Sequence, residues 1–73
     1  MLNRLNQANQ QIAKIRYLES DFQVLSPGTH VLCAITGNAI ALDELKYWSF
    51  QDQEAYQDAH ASLEAEKRAG RLR

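Results

Sequence analysis

The chain has 73 residues, a formal net charge of −1 and a single cysteine. This length gives one domain that buries only roughly 60% of its unfolded surface. An internal disulfide and a cysteine-rich zinc site are excluded, and the charge balance speaks against a generic nucleic-acid coat protein.

Residues 1–12, MLNRLNQANQQI, are rich in Asn and Gln, which form helices poorly, and read as a flexible N-terminal segment. A single α+β domain is expected over residues 13–69. Ala13, Ile15 and Tyr17 alternate with Lys14 and Arg16, the pattern of a half-buried strand. Ser20-Asp21 are turn residues, and Phe22 to Leu25 reads as a second strand with Phe22 and Val24 on one side. Ser26-Pro27-Gly28-Thr29 reads as a turn in which Gly28 takes a positive φ.

Residues 30–42 carry the clearest pattern. Gly37-Asn38 lies between two apolar runs and predicts a two-residue hairpin turn. In that register Ile35 faces Ile40 and Cys33 faces Leu42. Val31, Cys33, Ile35, Ile40 and Leu42 then share one face; Leu32, Ala34, Thr36, Ala39 and Ala41 share the other. Asp43-Glu44-Leu45 breaks the alternation, and Lys46-Tyr47-Trp48 reads as a short extended run.

Ser49 with Asp52 resembles a capping box. Phe50 to about Arg68 lacks Gly and Pro and reads as one amphipathic helix with Ala55, Tyr56, Ala59 and Leu63 as its apolar stripe. Gly70 is a stop signal, and residues 70–73 form a basic tail. The expected fold is α+β, a small antiparallel β-meander or hairpin packed against one C-terminal helix.

Charge is unevenly placed. All nine acids lie within residues 19–66, where Lys46 is the only Lys or Arg. Arg4, Lys14 and Arg16 precede this stretch; Lys67, Arg68, Arg71 and Arg73 follow it. These seven are the candidate contacts if nucleic acid is the partner.

Candidate chemistry is sparse. Cys33 sits between apolar neighbours and reads as a small buried hydrophobe rather than an activated thiol. His30 falls on the opposite strand face, which argues against a Cys–His pair. Cys33, His30 and His60 fall short of a four-ligand metal set, so no metal or other cofactor is expected. Asp43-Glu44 and Asp52-Glu54 read as surface charge. Tyr47 and Trp48, neighbours in an extended run, point opposite ways. If one enters the core, the other is free to anchor a partner; the alternative is that both wrap around the helix edge and complete a small core.

The run from Ile15 to Glu66, above all CAITGNAI, LDELKYWS and QEAY, resembles a family of short bacterial proteins labelled only as a domain of unknown function. That resemblance implies no activity. A second likeness is to the zinc finger of the DksA/TraR class. Cys33 stands at its first ligand position, Thr36 at the second, and Glu54 and Gln57 at the second cysteine pair, while Ile40, Leu42 and Leu45 fall at its apolar offsets. It implies a finger scaffold held by packing, with a link to the transcription machinery by analogy.

Three functional readings follow. The first is a non-enzymatic protein-interaction module or adaptor using Tyr47, Trp48, Asp43 and Glu44. The second is a nucleic-acid-associated protein using the basic residues named above. The third is a thiol-redox factor using Cys33. No signal peptide or membrane span is evident, which suggests the cytoplasm, and self-association would help so small a core.

Overall fold

The computed structural model describes residues 11–71. Six strands form three two-stranded antiparallel sheets, followed by one C-terminal helix, so the chain is a small α+β domain. The strands are β1 (Lys14–Tyr17), β2 (Phe22–Ser26), β3 (His30–Leu32), β4 (Ala39–Ala41), β5 (Tyr47–Ser49) and β6 (Glu54–Tyr56); the helix is α1 (Ala59–Arg68). Consecutive hairpins β1–β2, β3–β4 and β5–β6 do not merge into one continuous meander. They meet instead through isolated parallel bridges, Ile12 with His30 and Cys33 with Ala55.

In the first hairpin Tyr17 pairs with Phe22, Arg16 with Gln23 and Ile15 with Val24. A bulge at Leu25 then shifts the pairing, so that Lys14 meets Ser26. The expected alternation holds on β1: Ala13 and Tyr17 are buried, Ile15 is half-buried, and Lys14 and Arg16 are exposed. On β2, Phe22 is half-buried but Val24 is exposed. Most of the segment expected to be flexible, residues 1–10, lies outside the described residues. Its end is docked: the Gln11 carbonyl accepts from the Thr29 amide at 2.8 Å, and Ala13 N–H donates to the His30 carbonyl. Gln11 and Ala13 are thus bonded to the Thr29–His30 segment. Gly28 is not at a positive φ. It is required because a Cβ there would collide with the backbone of Ala13 and lie 2.6 Å from the Gln11 carbonyl oxygen.

The middle hairpin keeps its expected faces but not its turn. Leu32 pairs with Ala39, Val31 with Ile40 and His30 with Ala41. Cys33 N–H donates to the Asn38 carbonyl, and Gly37 N–H to the Cys33 carbonyl, so residues 34–37 form a four-residue loop with Gly37 at φ +78°. Ile40 meets Val31 rather than Ile35, a slip of four residues. Because side chains alternate with period two, an even slip leaves every residue on its original face. Val31, Cys33 and Ile40 are buried as expected, and Leu32, Ala34, Thr36 and Ala39 are exposed.

The helix is shorter than expected. Residues 50–53 form a turn with Gln53 at φ +54°, and Glu54–Tyr56 pairs back on Tyr47–Ser49. Ser49 Oγ accepts from Asp52 N–H at 2.9 Å, as the capping pattern implies, but it closes this turn and not a helix. The true N-cap is Asp58, whose carboxylate accepts from Ala61 N–H at 2.8 Å. Ala55 and Tyr56 are buried, on a strand; Ala59 and Leu63 are exposed, and Ala61 and Ala65 form the buried side of α1. At the other end Gly70, at φ +77°, closes a Schellman motif: its amide donates to the Lys67 carbonyl and that of Arg71 to Glu66. Gly70 and Arg71 thus terminate the helix and are not a loose tail.

The core comprises Ala13, Tyr17, Val31, Cys33, Ile40, Leu45, Ala55, Tyr56, Ala61 and Ala65. Four of the ten are alanines, which bury little area, so Tyr17, Tyr56 and the larger aliphatics carry most of the hydrophobic stabilisation. Side-chain amides supply the joints between hairpins. Gln53 Oε1 accepts from Tyr17 N–H at 2.9 Å while its Nε2 donates to the Tyr17 carbonyl at 2.7 Å.

Candidate functional site

Trp48 on β5 reaches across to the first hairpin. Its Nε1 donates to the Leu18 carbonyl at 2.7 Å. Its ring stacks on Tyr17 with centroids 6.2 Å apart and meets Phe22 edge-on at 5.6 Å. Aromatic pairs at these separations add to burial energy, and the indole hydrogen bond fixes the ring. Trp48 is therefore the residue that enters the interior, and Tyr47 stays exposed.

The fixed indole forms one wall of an open cleft of about 390 Å³, lined also by Glu19, Ser49, Phe50, Gln51 and Glu66. Phe50 is 49% exposed at its edge. Glu66 is occupied by Arg71, whose Nε and Nη2 donate to its two oxygens at 2.9 and 3.1 Å. The same Nη2 donates to Asp52 Oδ2 at 2.6 Å. These bonds, first to Glu66 and then to Asp52, raise the Arg71 pKa above its ordinary value. Glu19 has no ion-pair partner among the described residues. The cleft thus offers two aromatic rings beside one free carboxylate. Asp43 and Glu44 are exposed on the short 3₁₀ turn Leu42–Glu44 that leads towards β5.

Among the described basic residues near the C-terminus, two are held in ion pairs. Arg71 is tied as described, and Arg68 pairs with Glu64 at 3.4 Å along α1. Lys67 is exposed near the end of α1, while Lys14 and Arg16 are exposed on β1. Arg4 and Arg73 lie outside the described residues.

Cys33 is 3% exposed. Burial works to raise its pKa, but the Thr36 hydroxyl and the amides of Thr36, Gln57 and Ile35 outweigh it and hold the thiol below its ordinary value. Thr36 N–H points at Sγ at 3.5 Å. Gln57 Oε1 accepts from Thr36 Oγ1 at 3.0 Å and from Asn38 Nδ2 at 2.8 Å. Three of the four positions likened to finger ligands, Cys33, Thr36 and Gln57, therefore do converge, joined by hydrogen bonds. Glu54 does not join them: its Oε2 accepts from the Tyr56 hydroxyl at 3.0 Å. Among the described residues no group of three or more His, Cys, Asp or Glu side chains is placed to hold a metal, and no helix is long and apolar enough to cross a membrane.

Sequence reasoning missed Glu19, Gln53 and Gln57. Neither glutamine's joining role has a local signal, since the bonds that link one hairpin to another reach at least 19 positions along the chain.

No curated protein and no solved structure matches the chain, so the likeness to the DksA/TraR finger rests on residue spacing alone. One family model, described as an uncharacterized protein conserved in bacteria (DUF2093), matches residues 24–65. That match spans more than half of the chain and includes all three of the segments CAITGNAI, LDELKYWS and QEAY, and the chain belongs to the DUF2093 family.

Proposed function

We propose that the chain is a non-enzymatic protein-interaction module of the bacterial cytoplasm, docking through the cleft beside Trp48. One observation carries this reading: a ring fixed by a 2.7 Å hydrogen bond and two aromatic contacts stands beside half-exposed Phe50 and Glu19, which has no ion-pair partner among the described residues. Rigid aromatic surface costs little ordering entropy on binding, and aromatic residues are favoured interface anchors. A basic side chain on the partner fits best, because a cation is attracted both to an aromatic face and to a free carboxylate. Tyr47, Asp43 and Glu44 are exposed on the segment that leads into β5 and do not line the cleft, so they offer a separate contact for the same partner.

The test is affinity capture from native extract at low and high salt, with wild type and the double variant Phe50→Ser/Glu19→Lys in parallel. A stoichiometric partner held by the wild type and lost by the variant supports the reading. RNA polymerase subunits in that role would add the transcription link. Equal capture by both proteins overturns the assignment of the surface. Capture of nucleic acid alone, released by salt, would instead favour the basic residues Lys14, Arg16 and Lys67.

A further inference from the structure

We propose that two copies of this chain pair through the outer edge of β2, joining their first hairpins into a four-stranded antiparallel sheet. Among the described residues no strand pairs with that edge. The two edges of the hairpin differ. Tyr17 N–H and C=O point away from β2 and are satisfied by the Gln53 amide, so the β1 edge is closed there. Antiparallel pairs alternate between inward and outward main-chain groups. Tyr17 and Phe22 form an outward pair, so Arg16 and Gln23 bond to each other, and Ile15 and Val24 again point outward. On the β2 edge the Phe22 amide is already taken by Asp21 Oδ1 at 2.7 Å. Among the described residues nothing pairs with the Val24 N–H and C=O.

The side chains suit a second copy. Residues 22–26, FQVLS, contain no charge and no proline, the usual protections of an edge strand. Val24 is 50% exposed and Leu25 64%. The bulge at Leu25 is the one irregularity, and it displays that side chain outward. Charge then sets the direction. The turn at one end of the hairpin carries Glu19 and Asp21, and the other end carries Lys14 beside Ser26. Parallel pairing would place acid against acid. Antiparallel pairing about a two-fold axis at Val24 places the acidic turn of each copy beside the Lys14 end of the other. Val24 then stands opposite its own counterpart, exchanging two main-chain hydrogen bonds. A core with four alanines among ten residues gains from such an addition.

Sedimentation velocity of the full chain over a range of concentrations reads the assembly directly. Twice the monomer mass is expected. Val24→Lys/Leu25→Lys should be a monomer with an unchanged far-ultraviolet spectrum, and Lys14→Glu should weaken the dimer several-fold. Val24→Cys provides a test that does not depend on loss. Cα atoms of an outward pair bonded across the axis lie about 5.5 Å apart, within the span of a disulfide. Mild oxidation should therefore cross-link that variant as a dimer, while Leu32→Cys, elsewhere on the surface, should not. A wild-type monomer at every soluble concentration overturns the proposal. So does a dimer that survives Val24→Lys/Leu25→Lys or that fails to cross-link through Val24→Cys.

Discussion

The side-chain amide of Gln53 engages both main-chain groups of Tyr17, accepting at 2.9 Å and donating at 2.7 Å, as a neighbouring strand would. It does so from a left-handed backbone, φ +54°, that most residues avoid. Gln53→Ala keeps the unfavourable backbone and loses these two bonds together with the one its Nε2 donates to the Phe50 carbonyl at 2.8 Å, a cost of about 1–3 kcal/mol. Gln53→Gly loses the bonds but relieves the backbone, by about 1 kcal/mol. Urea melts should rank wild type above Gln53→Gly, and Gln53→Gly above Gln53→Ala. A Gln53→Ala protein as stable as wild type would mean the paired bonds contribute nothing.

Gly28 and Gly37 should respond differently to alanine. A Cβ at Gly28 would collide with Ala13 and crowd the Gln11 carbonyl, whereas Gly37 has open space but a φ of +78°. Gly37→Ala should cost about 1 kcal/mol for backbone strain alone. Gly28→Ala must move the docked N-terminal segment and should cost at least about 2 kcal/mol. Thermal melts of the two variants side by side decide this; equal losses would contradict the close approach.

Alkaline titration should report Tyr56. Burial, and then the hydrogen bond and negative charge of Glu54, push its phenol up to about 12. In the unfolded chain a tyrosine titrates near pH 10. The folded state thus holds this proton more tightly, and the resulting stability is complete below about pH 10 and lost as pH rises towards about 12. Tyr17, also raised by burial, acts in the same direction. Denaturant midpoints measured across that interval should fall for the wild type and fall less for Tyr56→Phe.

Cys33 should resist thiol reagents in spite of its lowered pKa, because access and not ionisation limits it. In native buffer the rate of labelling should track the unfolding equilibrium and rise as denaturant is added. Immediate stoichiometric labelling of the folded protein would revive the thiol-redox reading.

The parts of the fold legible in the sequence are those set by side-chain period. Val31, Cys33 and Ile40 could be assigned to one buried face even with the wrong turn, because a four-residue slip preserves parity. The strand Lys14–Tyr17 and the stop at Gly70 were legible for similarly local reasons. The start of α1 was not. Local propensity favours helix through the Ala-, Gln- and Glu-rich stretch, but pairing of Tyr47 with Tyr56 and the left-handed Gln53 override it. Asp58, three residues before Ala61, was the available capping signal. At the candidate site, the opposed directions of Tyr47 and Trp48 could be anticipated. Glu19 could not, since only the fold carries it to the Trp48 cleft.

The division of the sheet structure into three separate hairpins has a kinetic consequence. Each hairpin closes over a short loop, so its formation is local and fast. The Gln53 and Gln57 joints link residues far apart in sequence and can form only once the hairpins dock. Interactions completed after the rate-limiting barrier govern how slowly a native state comes apart and leave its rate of formation nearly untouched. Loss of either amide joint should therefore speed unfolding and leave the folding rate nearly unchanged, as should loss of the Trp48–Leu18 bond that also spans two hairpins.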